Sequence, residues 1–279
     1  MNLAAHSELA STTFGARLRA WRQRRRLSQL DLAVEAEIST RHLSYVETGR
    51  AKPSREMVLH LTSTLQVPLR DRNALLVAAG YAPIYGERPL DDPTLAAAKQ
   101  AVDLILKSHE PFPALAVDRH WNLLAANRLV PLLMMDVDES LLQAPVNVLR
   151  VTLHPMGLAS KIINLAQWRA HLFERLAHQV ASTADPTLRA LLAELHKLPQ
   201  PTPEAQQQHL LGEHMGVAVP LRLRSPLGTL SFISTTTVFG SPADVTLQEL
   251  ALETFFPLDE STKDALVAMA AGGASGAKI

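Results

Sequence analysis

The sequence predicts a multidomain chain of mixed class. Residues 1–80 read as an all-α head of five short helices, and residues 94–270 as an α+β body built on a small antiparallel sheet. Three observations carry this. Apolar residues recur at helical spacing through the head, punctuated by Ser, Gly and Pro at the turns. Residues 81–93 (YAPIYGERPLDDP) are proline-rich and aperiodic, as a linker is. Beyond them, short strand-like runs flank a long helical middle. The 279 residues suffice for two domains at roughly 100–200 residues each.

Taken in order, residues 1–12 are small and polar, a frayed lead-in. Phe14–Arg26 forms the first helix, with Phe14, Leu18 and Trp21 inward and Arg17, Arg19, Arg22 and Arg24–Arg26 around the rest. Ser28 caps a second helix, whose apolar stripe is Leu30, Ala33 and Val34. Glu37-Ile38-Ser39 is a tight turn, with Ile38 on the core and Ser39 or Thr40 capping the third helix. There Leu43 and Val46 point in, and Thr40, Arg41, Ser44 and Tyr45 point out. Gly49 ends it with a positive φ. Ser54–Leu65 is a fourth helix with Met57, Val58, Leu61 and Leu65 inward. A fifth starts near Pro68, a suitable first helical residue, and carries Leu69, Leu75, Leu76 and Ala79.

The body opens with a helix over Thr94–Ser108. Pro113–Asp118 and Trp121–Ala126 follow as two strands around Arg119-His120, and then a short helix carries Leu129, Leu132, Leu133 and Met134. Ser160–His196 is helical, broken at Pro186, with Ile162, Leu165, Trp168, Leu172, Leu176 and Val180 on one face. A proline- and glutamine-rich loop spans 199–208. Val217–Leu223 and Leu230–Val238 make a hairpin around Ser225–Gly228. Residues 246–256 fit either a helix or a strand. The strand is preferred because it completes a sheet of about five. Residues 271–279 (AGGASGAKI) read as a disordered tail.

Composition narrows the function classes. With 47% hydrophobic and 19% charged residues, the chain is an ordinary globular one. No apolar run approaches the roughly 18 residues that span a bilayer, and the start lacks a basic segment ahead of an apolar one, so no signal peptide is expected. The absence of cysteine excludes disulfides and thiolate zinc sites and fits a cytoplasmic location. Net charge is zero but uneven. Residues 1–90 carry 13 basic and 8 acidic side chains, the remainder 14 and 19. A basic head suits contact with a polyanion.

Leu27–Ser54 (LSQLDLAVEAEISTRHLSYVETGRAKPS) has a more specific likeness. Gln29, the Ala-centred second helix, Ile38-Ser39, Leu43, Glu47, Gly49 and Arg50-Ala51-Lys52-Pro53 resemble the helix-turn-helix of Xre/Cro-type, lambda-repressor-like bacterial regulators. The body resembles the MmyB-like (MltR-type) ligand-binding domain found behind such heads, through PALAVD at 113–118, Trp121–Asn127, Asn147–Arg150, His154–Gly157, Trp168 and FFPLD at 255–259. Its outline, helices inserted between the second and third strands, is PAS-like.

The resemblance implies sequence-specific binding of double-stranded DNA, with the third helix in the major groove. Thr40, Arg41, Ser44 and Tyr45 would face the bases, with Ser39, at the start of that helix, also in the DNA-binding set. Arg41 is the strongest candidate reader, since a guanidinium meets guanine O6 and N7 in bidentate fashion. Gln29 would hold a phosphate and brace the recognition helix, Arg50 and Lys52 would contact phosphates, and Glu47 reads as structural. The family often has glutamines where Thr40 and Arg41 stand, so the operator does not carry across. For the body it implies a fatty-acyl or similar lipophilic ligand in a cavity between sheet and helices. Trp121, Trp168, Leu172 and Phe232 are its candidate walls, and Arg150 or His154 (Arg119 is a third) the polar anchor. Homodimerisation is expected, and no cofactor or metal.

Enzyme readings lack their anchors. The only dense histidine cluster, His209-Leu-Leu-Gly-Glu213-His214, fits neither metalloprotease spacing. P-loop, dinucleotide and nucleophile-elbow motifs do not occur. Two rivals stay open: a DNA-binding head with a purely structural dimerisation domain, and an antitoxin-like protein whose C-terminal region binds a protein partner.

Overall fold

The computed structural model describes residues 13–199 and 218–273. The expected lead-in, nearly all of the glutamine-rich loop, the His209–His214 cluster and residues 274–279 lie outside them. The chain divides into two compact units: residues 1–89 with 241–248, and residues 90–240 with 249–279.

The first unit contains α1 (Phe14–Arg24), α2 (Gln29–Glu35), α3 (Thr40–Glu47), α4 (Arg55–Thr64) and α5 (Leu69–Ala78). Local chemistry sets the boundaries. Ser28, Ser39 and Ser54 each accept an amide of the helix they precede, and Asp31 closes a capping box by accepting the Ser28 amide. Gly49, at φ 73°, follows α3. Phe14, Leu18, Trp21, Leu32, Ala33, Leu43, Val46, Val58, Leu61, Leu75 and Leu76 form one core. Gly15 lets α1 lie against the end of α3, because a Cβ there would stand 2.3 Å from the Glu47 carbonyl oxygen.

Two expectations for the head are corrected. Leu30 and Val34 are 60% and 68% exposed. Of the expected stripe only Ala33 is buried, and it shares the inward face with Leu32 and with Ala36 at the helix end. Arg22 is not on the solvated side of α1 but is buried, for reasons given below.

Beyond α5, the Asn73 side chain holds the chain at Ile84 and Tyr85 through three hydrogen bonds. Residues 241–248 fold with this unit, far from it in sequence. Val245 N–H donates to Gly86 O, Thr246 Oγ1 donates to Arg88 O, and the Gln248 side chain accepts the Leu69 amide.

The second unit runs α6 (Ala96–Ser108), β1 (Ala114–Val117), β2 (Leu123–Ala126), α7 (Leu129–Leu133), α8 (Val148–Leu153), α9 (Leu165–Thr183), α10 (Pro186–His196), β3 (Leu221–Ser225), β4 (Gly228–Val238), β5 (Ala251–Pro257) and α12 (Glu260–Gly273). The helix α11 (Val245–Glu249) precedes β5. The strands form one antiparallel sheet in the order β2-β1-β5-β4-β3. Its core joins Leu115, Val117, Leu221, Leu223, Leu230 and Phe232 of the strands to Leu149, Leu153, Trp168, Leu172, Leu176, Leu191 and Leu266 of the helices.

Three further expectations change. Residues 246–249 are helical, because the Asp244 carboxylate accepts the Thr246 amide and starts a turn. The strand begins only at Ala251. Residues 271–273, assigned to the tail, complete α12. Trp121 is not in a strand. It sits in the β1–β2 turn at φ 67°, a backbone region that costs a bulky residue about 1–3 kcal/mol.

Candidate nucleic-acid interface and ligand cavity

In the head, the outward face of α3 carries Thr40, Arg41, Ser44 and Tyr45. Arg41 is exposed, and Ser44 and Tyr45 half-exposed. Ser39 stands at the cap, its hydroxyl accepting the His42 amide at 3.1 Å. Arg41 Nε donates to Tyr45 Oη at 3.1 Å, one turn along the helix. That bond spends the inner donor and fixes the plane of the guanidinium. Its two terminal nitrogens have no partner among the described residues, the arrangement a bidentate contact requires. Arg41 and Arg50 lie 5.4 and 5.9 Å from the Tyr45 ring centroid. Tyr45 thus gathers two cations on one surface. Lys52, exposed, stands 5.7 Å from the Tyr81 ring, whose hydroxyl donates to Pro53 O.

Behind this face lies a buried ionic group. Arg22 grips Glu47 in bidentate fashion, Nε to Oε1 at 2.6 Å and Nη2 to Oε2 at 2.9 Å. Gln29 Nε2 also donates to Glu47 Oε2, at 2.7 Å. Arg22 Nη1 donates to Leu27 O at 2.8 Å, so every polar atom of the Arg22–Glu47 pair has a partner, which a charge so deep requires. The three side chains come from α1, α2 and the end of α3, so together they lock α3 to its supports. Gln29 therefore braces α3 through Glu47. Arg25 is also committed inward, donating to the Leu65 and Gln66 carbonyls at the end of α4. The arginine run of α1 is accordingly divided between scaffold and surface.

In the second unit, the sheet and helices α7–α9 enclose a cavity of about 100 Å³. Trp121, Trp168, Leu172 and Phe232 are on its wall, with Val130, Met134, Val151 and Phe255. Arg150 and His154 are not. Arg150 is exposed and spends its guanidinium on Glu194, at 2.7 and 2.8 Å. His154 Nδ1 accepts the Met156 amide. Arg119 pairs with Asp185 and Glu249.

The charged part of the wall comes from residues the sequence did not single out, Arg175 and Glu253, with Thr152 and Ser234 as further polar members. Glu253 is buried, and Arg175 meets both its oxygens, Nη1 to Oε2 at 3.1 Å and Nη2 to Oε1 at 2.5 Å. Arg175 Nη2 also reaches Thr236 Oγ1 at 2.7 Å. The guanidinium lies 4.6 Å from the Trp121 ring centroid, and Trp121 Nε1 donates to Gln179 Oε1 at 2.8 Å. These contacts hold the strained turn residue in place. The available signal was spacing: Arg175 lies three residues beyond Leu172, on the same side of α9 as Trp168.

A second cavity of about 220 Å³ shares Leu133, Leu158 and Leu223 with the first. Among the described residues, no group of three or more His, Cys, Asp or Glu could hold a metal ion, and no helix is long and apolar enough to cross a membrane.

Two family models match the chain. Residues 13–75 match the helix-turn-helix domain family. Residues 98–269 match the family described as MmyB-like transcription regulator ligand binding domain. No curated protein matches the chain.

Proposed function

The chain belongs to the MmyB-like transcription regulators, and from that premise we propose a sequence-specific DNA-binding protein whose affinity for its operator is set by a lipophilic ligand. A DNA-binding head and a ligand-sensing domain are what its two families provide. The finer reading is ours: Thr40, Arg41, Ser44 and Tyr45 read bases, Ser39 and Gln29 support them, and Arg50 and Lys52 hold phosphates. One observation carries it. Exposed Arg41 bonds Tyr45 through Nε, its terminal nitrogens without a partner among the described residues, and Arg50 lies against the same tyrosine ring.

The ligand site is the apolar cavity walled by Trp121, Trp168, Leu172 and Phe232. Such cavities, apolar with a few fixed polar groups, take small molecules. The family likeness suggests a fatty-acyl or related compound. Two copies of the chain would place their heads on half-sites about one DNA turn apart. The ligand would act by binding one dimer geometry better than the other, in a cytoplasmic protein with no catalytic role.

The test begins with selection of bound sequences from random duplex DNA, followed by titration of the selected site with wild type and Arg41→Ala. A single recovered motif, bound at least tenfold more weakly by the variant, is the expected result. Recovery of no motif would refute specific binding. Native mass spectrometry of the purified chain tests the rest: a dimer carrying a lipophilic molecule supports the sensor, and an empty dimer supports the structural-scaffold alternative.

A further inference from the structure

Helix α5 receives its cap from a distant part of the chain. Pro68, which precedes it, makes no side-chain cap bond, since proline has no side-chain acceptor. The Leu69 amide donates instead to Gln248 Oε1 at 2.6 Å. Gln248 lies on α11, in the segment 241–248 that folds with the head. The rest of that segment is held as firmly. Val245 is buried and its amide donates to Gly86 O at 2.7 Å. Thr246 Oγ1 donates to Arg88 O at 2.6 Å, and Arg88 stands 3.5 Å from the buried Asp244 carboxylate. Residues 84–87 are in turn tied to α5, by Asn73 at Ile84 and Tyr85 and by an Arg70–Glu87 ion pair at 2.6 Å. The segment thus holds α5 twice, directly at Leu69 and through residues 84–88 about one turn later.

The two ends of the segment run into the strands that wall the cavity. β4 ends at Val238, just before it, and β5 starts at Ala251, just after it. β4 carries Phe232 and Ser234 of the wall, and β5 carries Glu253 and Phe255. On the other side, α5 gives Leu75 and Leu76 to the core that includes Leu18 and Trp21 of α1. Arg22 of α1 holds Glu47 at the end of α3.

We propose that Gln248 is a positioning residue for DNA reading, passing the state of the cavity to α5 and, through α1, to α3. This rests on the cavity being a ligand site. An occupant that presses on Phe232, Glu253 or Phe255 displaces the ends of β4 and β5, and the segment between them carries the displacement to Leu69. Among the described residues the Leu69 amide has no other acceptor. Helix α5 therefore has two states, capped and uncapped, and a route between sites needs such an element that both can bias. A ligand that favours one state shifts the seat of α3 by its differential affinity.

The test measures, on the full chain, how a cavity probe and DNA affect each other. Octanoate and 1-octanol are the probes, and the duplex recovered by selection is the DNA. Coupling is the ratio of operator dissociation constants with saturating probe and without it. In wild type the two constants should differ at least about fivefold. Gln248→Met keeps the length but removes the acceptor. It should bring the ratio within twofold of one, while probe affinity of the free chain stays within twofold of wild type. Gln248→Glu keeps an acceptor, and its charge suits a helix N-terminus, so the fivefold coupling should survive. 15N NMR gives a second reading: the Leu69 amide should exchange faster with solvent in Gln248→Met, and its exchange in wild type should change when probe is added. Coupling retained in Gln248→Met overturns the route and leaves the cavity reading standing, because a merely structural cap lowers operator affinity equally with and without probe. Coupling lost in both variants overturns the hydrogen bond as its carrier. A Leu69 amide that does not respond to bound probe in wild type overturns the route whatever the variants do. Failure of both probes to bind wild type overturns the cavity as a ligand site, and the proposal with it.

Discussion

At the scale of single residues, a buried carboxylate ties the helices of the head together, and in the proposed reading an exposed arginine meets the bases. Glu47 has 1% of its side chain exposed and accepts from both Arg22 and Gln29. Glu47→Ala strands the Arg22 cation in the core, and breaking a buried pair in this way costs about 3–5 kcal/mol. Chemical denaturation of the full chain should show that loss in the transition assigned to the head, and a loss below 1 kcal/mol would contradict the bracing role. Arg41→Ala should instead leave stability within about 0.5 kcal/mol, as an exposed substitution does, and relax preference at one base position by about 1–3 kcal/mol. Lys52→Ala should weaken all sequences alike and lower the salt dependence of binding by about one phosphate contact. Competition titrations at two salt concentrations separate the two behaviours. Which arginine of α1 turns inward was not legible in the sequence. Nothing local distinguishes Arg22 from its neighbours, because its partner lies 25 residues away.

At the scale of elements, local signals were legible and long-range ones were not. The caps at Ser28, Ser39 and Ser54 and the positive φ of Gly49 are chemistry within four residues, and could be read directly. The exposed Leu30 and Val34 were misplaced because a two-turn helix offers two apolar stripes, and only its neighbours choose between them. Trp121 was drawn into a strand by its β propensity, and the turn that holds it depends on Arg175 and Gln179 of α9. Helix α10 shows how such distant partners set stability. The residue that caps it, Asp185, accepts the Thr187 and Leu188 amides and a hydrogen bond from the His120 ring. Burial raises its carboxyl pKa, but the His120 hydrogen bond, the Thr187 amide and the charges of His120 and Arg119 outweigh it, and the net direction is downward. A folded-state pKa below the unfolded one gives stability that is present above about pH 4 and lost as pH falls through the folded value. Asp185→Asn keeps a good cap and removes the titration. Thermal melts from pH 6 to pH 2 should therefore show a shallower acid loss for the variant than for wild type, and parallel curves would refute the assignment. Gly15→Ala tests the seat of α3: with a carbonyl 2.3 Å from the new Cβ, α1 must shift. The head should lose about 1–3 kcal/mol, as overpacked contacts do.

For the whole molecule, the order of head and body along the chain was legible because composition changes sharply at residues 81–93. The return of residues 241–248 to the head was not, since no periodicity marks a segment whose partners are Gly86, Arg88 and Leu69. Joining two functions in one chain has a thermodynamic consequence that needs no knowledge of the route between them. If a ligand in the cavity changes operator affinity by some factor, the operator must change ligand affinity by the same factor. Regulatory couplings of this kind amount to about 1–3 kcal/mol, or roughly 5–150-fold. A ligand of the cavity should therefore bind the free chain and the operator-bound chain with dissociation constants that differ at least about fivefold. The ratio should equal the change in operator affinity measured at saturating ligand. Its direction distinguishes release from recruitment: weaker ligand binding on DNA means that the ligand frees the operator. Calorimetry with and without the selected duplex gives one side of the cycle, and DNA titration with and without ligand gives the other. Ligand affinity identical on and off DNA would show that the two domains share a chain without coupling, and the scaffold reading of the body would then be the better one.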